Sequence, residues 1–236
     1  MNITVIGAGA WGTALAINLS AQHRVTLWGR NADQVGVMQK KRVNRLYLPD
    51  ILLPDDLQLS CDLPAALVGA ELLILAVPVA ALRETLMLLA SGPQPFAVVW
   101  LCKGFEAGTG MLPHQVAADV LPAAFSRGVL SGPSFAQEVA RGLPTALTLA
   151  SEDEAFARAT AQALHHACLR VYASTDVVGV GVGGAVKNVL AIAAGICDGM
   201  GLGYNARAAL ITRGLVEIAR LGVKMGGRAE TLGGLS

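Results

Sequence analysis

The start of the chain alternates between two hydrophobic rhythms. Ile3-Thr4-Val5-Ile6 is a short, largely apolar run that predicts a strand. Thr13-Ala14-Leu15-Ala16-Ile17-Asn18-Leu19 is a run of helix formers, and Arg24-Val25-Thr26-Leu27-Trp28 predicts a second strand. Gly7-Ala8-Gly9-Ala10-Trp11-Gly12 lies between the first two. Strand, glycine turn, helix and strand in such quick succession predict a βαβ unit.

The alternation continues. Leu72–Val77 is wholly apolar and ends at Pro78, which fits a parallel strand buried on both faces. A helix is predicted over roughly Ala80–Ala90 and a strand over Ala97–Cys102, ending at Lys103-Gly104. Gly128–Ser131 and Thr145–Leu149 complete the predicted strands. Residues 40–60, broken by Pro49 and Pro54, read as irregular. Beyond about Thr175 strand signals stop. Two long helices, roughly Asp176–Asp198 and Asn205–Gly222, are joined by the glycine-rich segment Gly199–Gly203. The pattern predicts an α/β fold: an N-terminal Rossmann-like domain with a mostly parallel sheet over residues 1–175, then the start of an all-helical domain over residues 176–236.

Composition narrows the function classes. Of 236 residues, 53% are hydrophobic and 15% charged, enough apolar surface for a substantial core. A net charge of +1 without a basic stripe argues against a nucleic-acid partner. Cys61, Cys102, Cys168 and Cys197 are scattered singly and read as free thiols in a reducing cytoplasm. No metal site is expected: the four histidines are dispersed, and on a helix His165 and His166 would point about 100° apart. The N-terminus lacks the pattern of a signal peptide. The most membrane-like stretch, Val177–Ile196, is interrupted by Lys187 and Asn188, so a buried helix of a soluble protein is expected rather than a membrane span.

Gly7-x-Gly9-x-x-Gly12 assigns a task to each glycine. Gly7 permits the turn out of the strand, Gly9 lets the backbone approach a pyrophosphate, and Gly12 lets the helix pack close to the strand. The first helical residues, from Ala10 and Trp11, would offer free N–H groups and the positive helix end to the phosphates. An acid about 20 residues further on would select NAD. Here the second strand runs into Gly29-Arg30-Asn31, with no carboxylate until Asp33. Arg30 either attracts the 2′-phosphate of NADP or is a solvated loop residue. The reading favours NADP and leaves NAD open.

Three further constellations carry chemistry. Lys103 stands at the carboxyl end of a predicted parallel strand, where ligands bind in open α/β sheets. On position alone it is equally a surface lysine. Gly132-Pro133-Ser134-Phe135-Ala136 follows another strand and offers N–H groups and a hydroxyl, or else an ordinary helix cap. Lys187 is the only charge between Asp176 and Asp198, inside an apolar helix, with Gly183 and Gly184 one turn before it on the same face. A lysine buried there would have a lowered pKa suited to proton transfer; the bland alternative is a side chain that reaches solvent. Asp198 would lie about 16 Å further along the axis and could not neutralise it.

Together these residues resemble the bacterial-type NAD(P)-dependent glycerol-3-phosphate dehydrogenases. The resemblance runs in order through Gly-Ala-Gly-Ala-Trp-Gly-Thr-Ala-Leu-Ala, Leu27-Trp28-Gly29-Arg30, Leu48-Pro49-Asp50, Lys103-Gly104, Ser131–Ala136, Gly184-Ala185-Val186-Lys187-Asn188 and Asn205-Ala206-Arg207. It implies reversible hydride transfer between the nicotinamide and dihydroxyacetone phosphate or glycerol 3-phosphate, a phospholipid precursor. It further implies Lys187 as the acid/base at the C2 oxygen, with Lys103, Gly132, Ser134 and Asn188 at the substrate. Trp11, Arg30, Lys103 and Ala136 would join the glycines at the cofactor. The partner is then a small molecule, and a homodimer is compatible with the pattern.

The resemblance also implies an aspartate and a phosphate-binding arginine in segments following the counterpart of Gly234-Leu235-Ser236. A chain ending at Ser236 is expected to bind NADPH, to turn over dihydroxyacetone phosphate poorly, and to expose apolar surface between residues 176 and 222 or bury it in a partner chain. Lys103, Lys187 and Arg207 are the cations left to face a substrate phosphate. Two other readings compete: a β-hydroxyacid dehydrogenase of the 6-phosphogluconate type, whose lysine and asparagine are spaced four apart rather than adjacent, and a nucleotide-binding module without catalysis.

Overall fold

A computed structural model describes residues 1–92 and 95–234. The chain runs β1 (Asn2–Ile6), α1 (Ala10–Ser20), β2 (Arg24–Trp28), α2 (Ala32–Lys41), β3 (Val43–Asn44), β4 (Leu48–Leu52), β5 (Gln58–Ser60), α3 (Leu63–Leu67) and β6 (Leu72–Leu75). It continues through α4 (Leu82–Ala90), β7 (Ala97–Trp100), α5 (Pro113–Val120), β8 (Arg127–Ser131), α6 (Ala136–Ala140), β9 (Thr145–Ala150), α7 (Glu154–Leu164) and β10 (Leu169–Ser174). The helices α8 (Val177–Gly199), α9 (Gly203–Lys224) and α10 (Ala229–Leu232) follow.

Eight strands form one sheet in the order β10-β9-β8-β7-β6-β1-β2-β5. All neighbours pair parallel except β8 and β9. The central strands β1, β6, β7 and β8 are buried on both faces, and strand periodicity divides their side chains. Ile3, Val5, Leu72 and Ile74 pack towards Leu15 and Leu19 of α1. Ile6, Leu73, Leu75, Val98 and Trp100 pack towards Leu82 and Leu86 of α4 and Val116 of α5. This three-layer α/β arrangement is the predicted Rossmann-like fold, and the predicted long helices follow it.

Two features depart from the sequence expectation. Residues 40–60 are not irregular: β3 and β4 form a small antiparallel ribbon, and β5 extends the main sheet beyond β2. Pro49 is tolerated because β4 has only one partner strand, so its missing N–H leaves no second ladder unmade. Arg42, in the left-handed region at φ 49°, pins the segment by donating to the carbonyls of Pro54 and Leu57. The second is β10, an edge strand in which buried Leu169 and Val171 alternate with exposed Arg170 and Tyr172. His165 and His166 therefore do not lie on a helix: α7 stops at Leu164, and His166 Nε2 meets Asn18 Oδ1 of α1 at 2.6 Å.

Beyond β10 the chain becomes helical, as predicted. Asp176 caps α8, accepting from Gly179 N at 2.8 Å, while its other carboxylate oxygen accepts from Arg228 N at 2.8 Å. Val182 and Ala185 of α8 join Ile218 of α9, Leu232 of α10 and Leu112 in a separate small core. Val189, Ile192, Ile196, Leu215 and Val216 on the same helices are exposed. α8 is long and apolar enough, by length and composition, to cross a membrane. It nevertheless carries Lys187 and packs on α9, α5 and the sheet. Leu235 and Ser236, part of the segment matched to the family's Gly-Leu-Ser, lie outside the described residues.

Candidate active site

The nucleotide end of the site begins where β1 stops. Gly7 has φ +121°, and a Cβ there would stand 2.5 Å from Ala76 O, so this turn accepts only glycine. A Cβ on Gly12 would stand 2.0 Å from Gly7 O, which is what lets α1 lie against the turn. Gly9 differs: no atom lies within 4 Å of a Cβ placed on it. Its lack of a side chain serves no packing need of the protein, so it leaves room for a ligand in front of the helix. Gly9 is also the N-cap of α1 and offers no side-chain cap, so the first N–H groups of the helix remain available to an anion.

Trp11 and Ala136 come together although distant in sequence. Both pack with Ala14, Leu48 and Val139 where α6 lies against α1. Arg30 is exposed at the end of β2, just before Asn31 caps α2 by accepting from Gln34 N.

The second end of the site is built by β7, β8 and α8. The loop leaving β7 is anchored by Arg83 of α4, which pairs with Glu106 at 2.8 Å and with Asp119 at 2.5 Å. Hydrogen bonds from Arg83 and Thr109 hold the Glu106 carboxyl down at about 2. This loop carries Lys103, whose Nζ donates to Gly132 O at 3.3 Å; Ser134 Oγ donates to the same carbonyl at 3.3 Å. Gly132 has φ +152° at the end of β8, and a Cβ would stand 2.8 Å from Ala146 O.

Helix α8 lies over these residues through its glycines. A Cβ on Gly184 would meet Ser131 Oγ at 2.9 Å and Lys103 Cγ at 3.5 Å. One turn on, Lys187 is half-buried. Desolvation lowers the pKa of its ammonium, and the nearby Lys103 charge lowers it further. Desolvation lowers that of Lys103 as well. Two cations in one partly dry chamber suit an anionic ligand and a proton transfer. Asn188, adjacent to Lys187, is exposed on the same helix.

Arg207 is not a free cation facing this chamber: it pairs with Asp198 at 3.2 Å. Burial pushes the Cys102 thiol, beside Lys103, up to about 12, so it carries no nucleophile. Among the described residues no group of three His, Cys, Asp or Glu side chains could hold a metal ion. Sequence reasoning passed over Ser131 and His114. Both line a small cavity beside Lys103, and neither carries a local signal of its own.

Residues 2–157 match the family model of the NAD-dependent glycerol-3-phosphate dehydrogenase N-terminus, and residues 176–236 match that of its C-terminus. The chain belongs to the NAD-dependent glycerol-3-phosphate dehydrogenase family. It is 61% identical over its whole length to glycerol-3-phosphate dehydrogenase [NAD(P)+] of Thiobacillus denitrificans, and 62% identical to that of Nitrosomonas eutropha, covering 72% of each. Among solved structures, glycerol-3-phosphate dehydrogenase from Coxiella burnetii superposes with a TM-score of 0.92 at 44% identity, over 99% of this chain and 72% of that one. Membership of this dehydrogenase family removes the 6-phosphogluconate-type reading and makes the chain an NAD(P)-dependent oxidoreductase acting on a small molecule.

Proposed function

We propose that the protein transfers hydride reversibly between NADP and the glycerol 3-phosphate/dihydroxyacetone phosphate pair, with NAD as an alternative cofactor, and so supplies a phospholipid precursor. The observation that carries this reading is the convergence of Lys103 and Lys187 beside Gly184, with both ammonium pKa values lowered by desolvation.

The placement of these residues supports the following roles. Gly7, Gly9, Ala10, Trp11 and Gly12 hold the cofactor pyrophosphate, with Ala136 alongside; Arg30 faces the adenosine 2′-phosphate, and Lys103 reaches from the cofactor to the substrate. When bound, the nicotinamide supplies the hydride at C2. Lys187 donates a proton to the C2 oxygen during reduction and accepts it during oxidation. Lys103 stabilises the developing alkoxide, while Gly132, Ser134 and Asn188 orient the substrate. We read residues 1–175 as the dinucleotide domain and residues 176–236 as belonging to the substrate domain, because the last strand ends at Ser174 and Asp176 caps α8. We also read the protein as cytoplasmic, with α8 a core helix, and as a homodimer, for which the exposed apolar residues of α8 and α9 are the support.

A substrate panel tests the activity. NADPH should be oxidised with dihydroxyacetone phosphate, and NADP should not be reduced with 6-phosphogluconate or hydroxyisobutyrate. The opposite preference defeats the assignment. Sedimentation at micromolar concentration tests the dimer.

A further inference from the structure

Three residues on α8, Gly181, Gly184 and Lys187, are spaced three apart and form one continuous stripe of neighbours. The two glycines face different groups, one on α5 and one at the end of β8. A Cβ on Gly181 would stand 3.7 Å from His114 Nδ1; one on Gly184 would stand 2.9 Å from Ser131 Oγ and 3.5 Å from Lys103 Cγ. Beneath the stripe is a cavity of about 10 Å³, lined among others by Trp100, Lys103, His114, Ser131, Gly181 and Gly184. That is room for about one water molecule.

Two polar atoms at this place have no protein partner among the described residues: Ser131 Oγ and His114 Nδ1. Ser131 is 4% exposed. Buried polar groups that stay unpaired are costly, so their meeting at a water-sized space is informative. On its other side His114 lines a second cleft of about 210 Å³, together with Trp100, Arg127, Ser151, Glu152 and Asp153. His114 is thus the wall shared by the cleft and the inner cavity.

We propose that His114, one buried water and Ser131 form a proton path from the Arg127–Glu152 cleft to the lysine chamber. The inference rests on the dehydrogenase reading above. Ketone reduction moves a hydride to C2 and a proton from Lys187 Nζ to the C2 oxygen, leaving a neutral amine. Each turnover must then return one proton to Lys187. A substrate and cofactor lying over the chamber from the sheet end would block solvent on that side. The rear path stays free: a proton enters from the cleft, His114 takes it on one ring nitrogen and releases the other through Nδ1, and the water and Ser131 hydroxyl pass it towards Lys103 and Lys187.

The groups around His114 suit a relay. Desolvation lowers its pKa, Glu152 raises it and Arg127 lowers it. It is therefore largely neutral near pH 7 and free to exchange tautomers. The remaining charges facing it are Lys103 across the inner cavity and Asp153 in the cleft. On the α4 side of α5, Arg83 and Asp119 are paired with each other.

The test compares His114→Gln, His114→Phe and Ser131→Ala with the parent enzyme, using NADPH and dihydroxyacetone phosphate in H2O and D2O. The first turnover uses the proton already on Lys187 and should proceed at the parent rate. Later turnovers should slow by roughly tenfold, less than the 10²–10⁴ of a directly acting acid, with a larger solvent isotope effect. Added imidazole should restore part of the steady rate of a His114→Ala enzyme through the cleft. A crystal structure of the parent protein should show an ordered water within hydrogen-bond distance of Ser131 Oγ and His114 Nδ1. Steady rates equal to the parent's, or equal slowing of first and later turnovers without imidazole rescue, or a dry cavity, overturns the relay while leaving the dehydrogenase intact. A parent protein that binds NADPH but never oxidises it with dihydroxyacetone phosphate defeats the underlying activity instead.

Discussion

The stem of Lys103 crosses Gly184, with Lys103 Cγ 3.5 Å from the place a Cβ would occupy on that glycine. Two elements far apart in sequence thus set the position of one ammonium group. Gly184→Val would press on Lys103 and on Ser131 Oγ, only 2.9 Å away, and would lift α8 from β8. Overpacking of this kind costs about 1–3 kcal/mol. We expect a lower melting temperature and a loss in kcat/KM larger than the loss in NADPH affinity. A variant with parent kcat/KM would show that the Lys103–Gly184 crossing does not set the catalytic geometry.

Lys187 should govern chemistry more than cofactor binding. In a protein that carries the family's segments beyond Ser236, Lys187→Ala should lower kcat by about 10²–10⁴ and leave NADPH affinity nearly unchanged. Desolvation and then Lys103 lower its pKa from 10.5. Ketone reduction needs the ammonium form, so its rate should fall as pH rises through that lowered value; alcohol oxidation needs the amine and should rise there. Lys103→Met removes one of the two causes and should move both limbs to higher pH. The same shift bears on stability. Between the lowered value and 10.5 the unfolded chain binds more protons, so this lysine destabilises the fold at neutral pH and ceases to do so as pH rises. Lys187→Met should therefore raise the melting temperature at pH 7 while abolishing turnover; a lower melting temperature would contradict a desolvated Lys187.

The three fingerprint glycines should separate into two classes. Gly9 faces open space, so Gly9→Val should keep the melting temperature of the ligand-free protein and lose NADPH binding. Gly12→Val would drive a side chain into Gly7 O, 2.0 Å from the Cβ position, and should destabilise the protein itself. Calorimetry with and without NADPH distinguishes them. If Gly9→Val binds NADPH normally, the space in front of α1 is not the pyrophosphate site.

Arg30 is exposed and follows β2 directly, so its guanidinium can pair with a 2′-phosphate without disturbing the fold. Arg30→Ala should weaken NADPH by roughly 1–3 kcal/mol and NADH much less. Equal weakening of both nucleotides in titration calorimetry would rule out a role in reading the phosphate.

Local signals and distant contacts differed in how legible they were. The β1–glycine–α1–β2 unit could be read because its hydrophobic period switches within a few residues and because Gly7 and Gly12 each have a nearby steric reason, while Gly9 keeps open the space in front of the helix. Lys103 and Lys187 stood out as charges at a strand end and inside an apolar helix. By contrast β10 is an edge strand whose alternating Leu169, Arg170, Val171 and Tyr172 give only two buried positions. β4 was hidden by Pro49, which is harmless only because the ribbon has two strands. His114 and Ser131 carry no local pattern; their significance arises where α5, β8 and α8 meet. The α1–α6 contact that brings Ala136 to Trp11 is likewise tertiary.

The junction of α1, α7 and β10 should be the acid-sensitive point of the fold. His166 Nε2 donates to Asn18 Oδ1 at 2.6 Å, while its Nδ1 accepts from Cys168 N at 3.4 Å. This arrangement uses the neutral ring, since protonation at Nδ1 would replace an acceptor by a donor facing an N–H. Desolvation lowers the pKa of His166 below 6.5, and the neighbouring His165 and His23 lower it further. Between its folded and unfolded values the unfolded chain binds more protons, so stability falls as pH drops through the window below 6.5. Asn18 sits on the helix that begins at the nucleotide turn, so loosening here should also weaken cofactor binding. His166→Gln cannot acquire the charge, and its melting temperature should decline less than the parent's between pH 7 and pH 5. Parallel declines in the two proteins would place the acid sensitivity elsewhere.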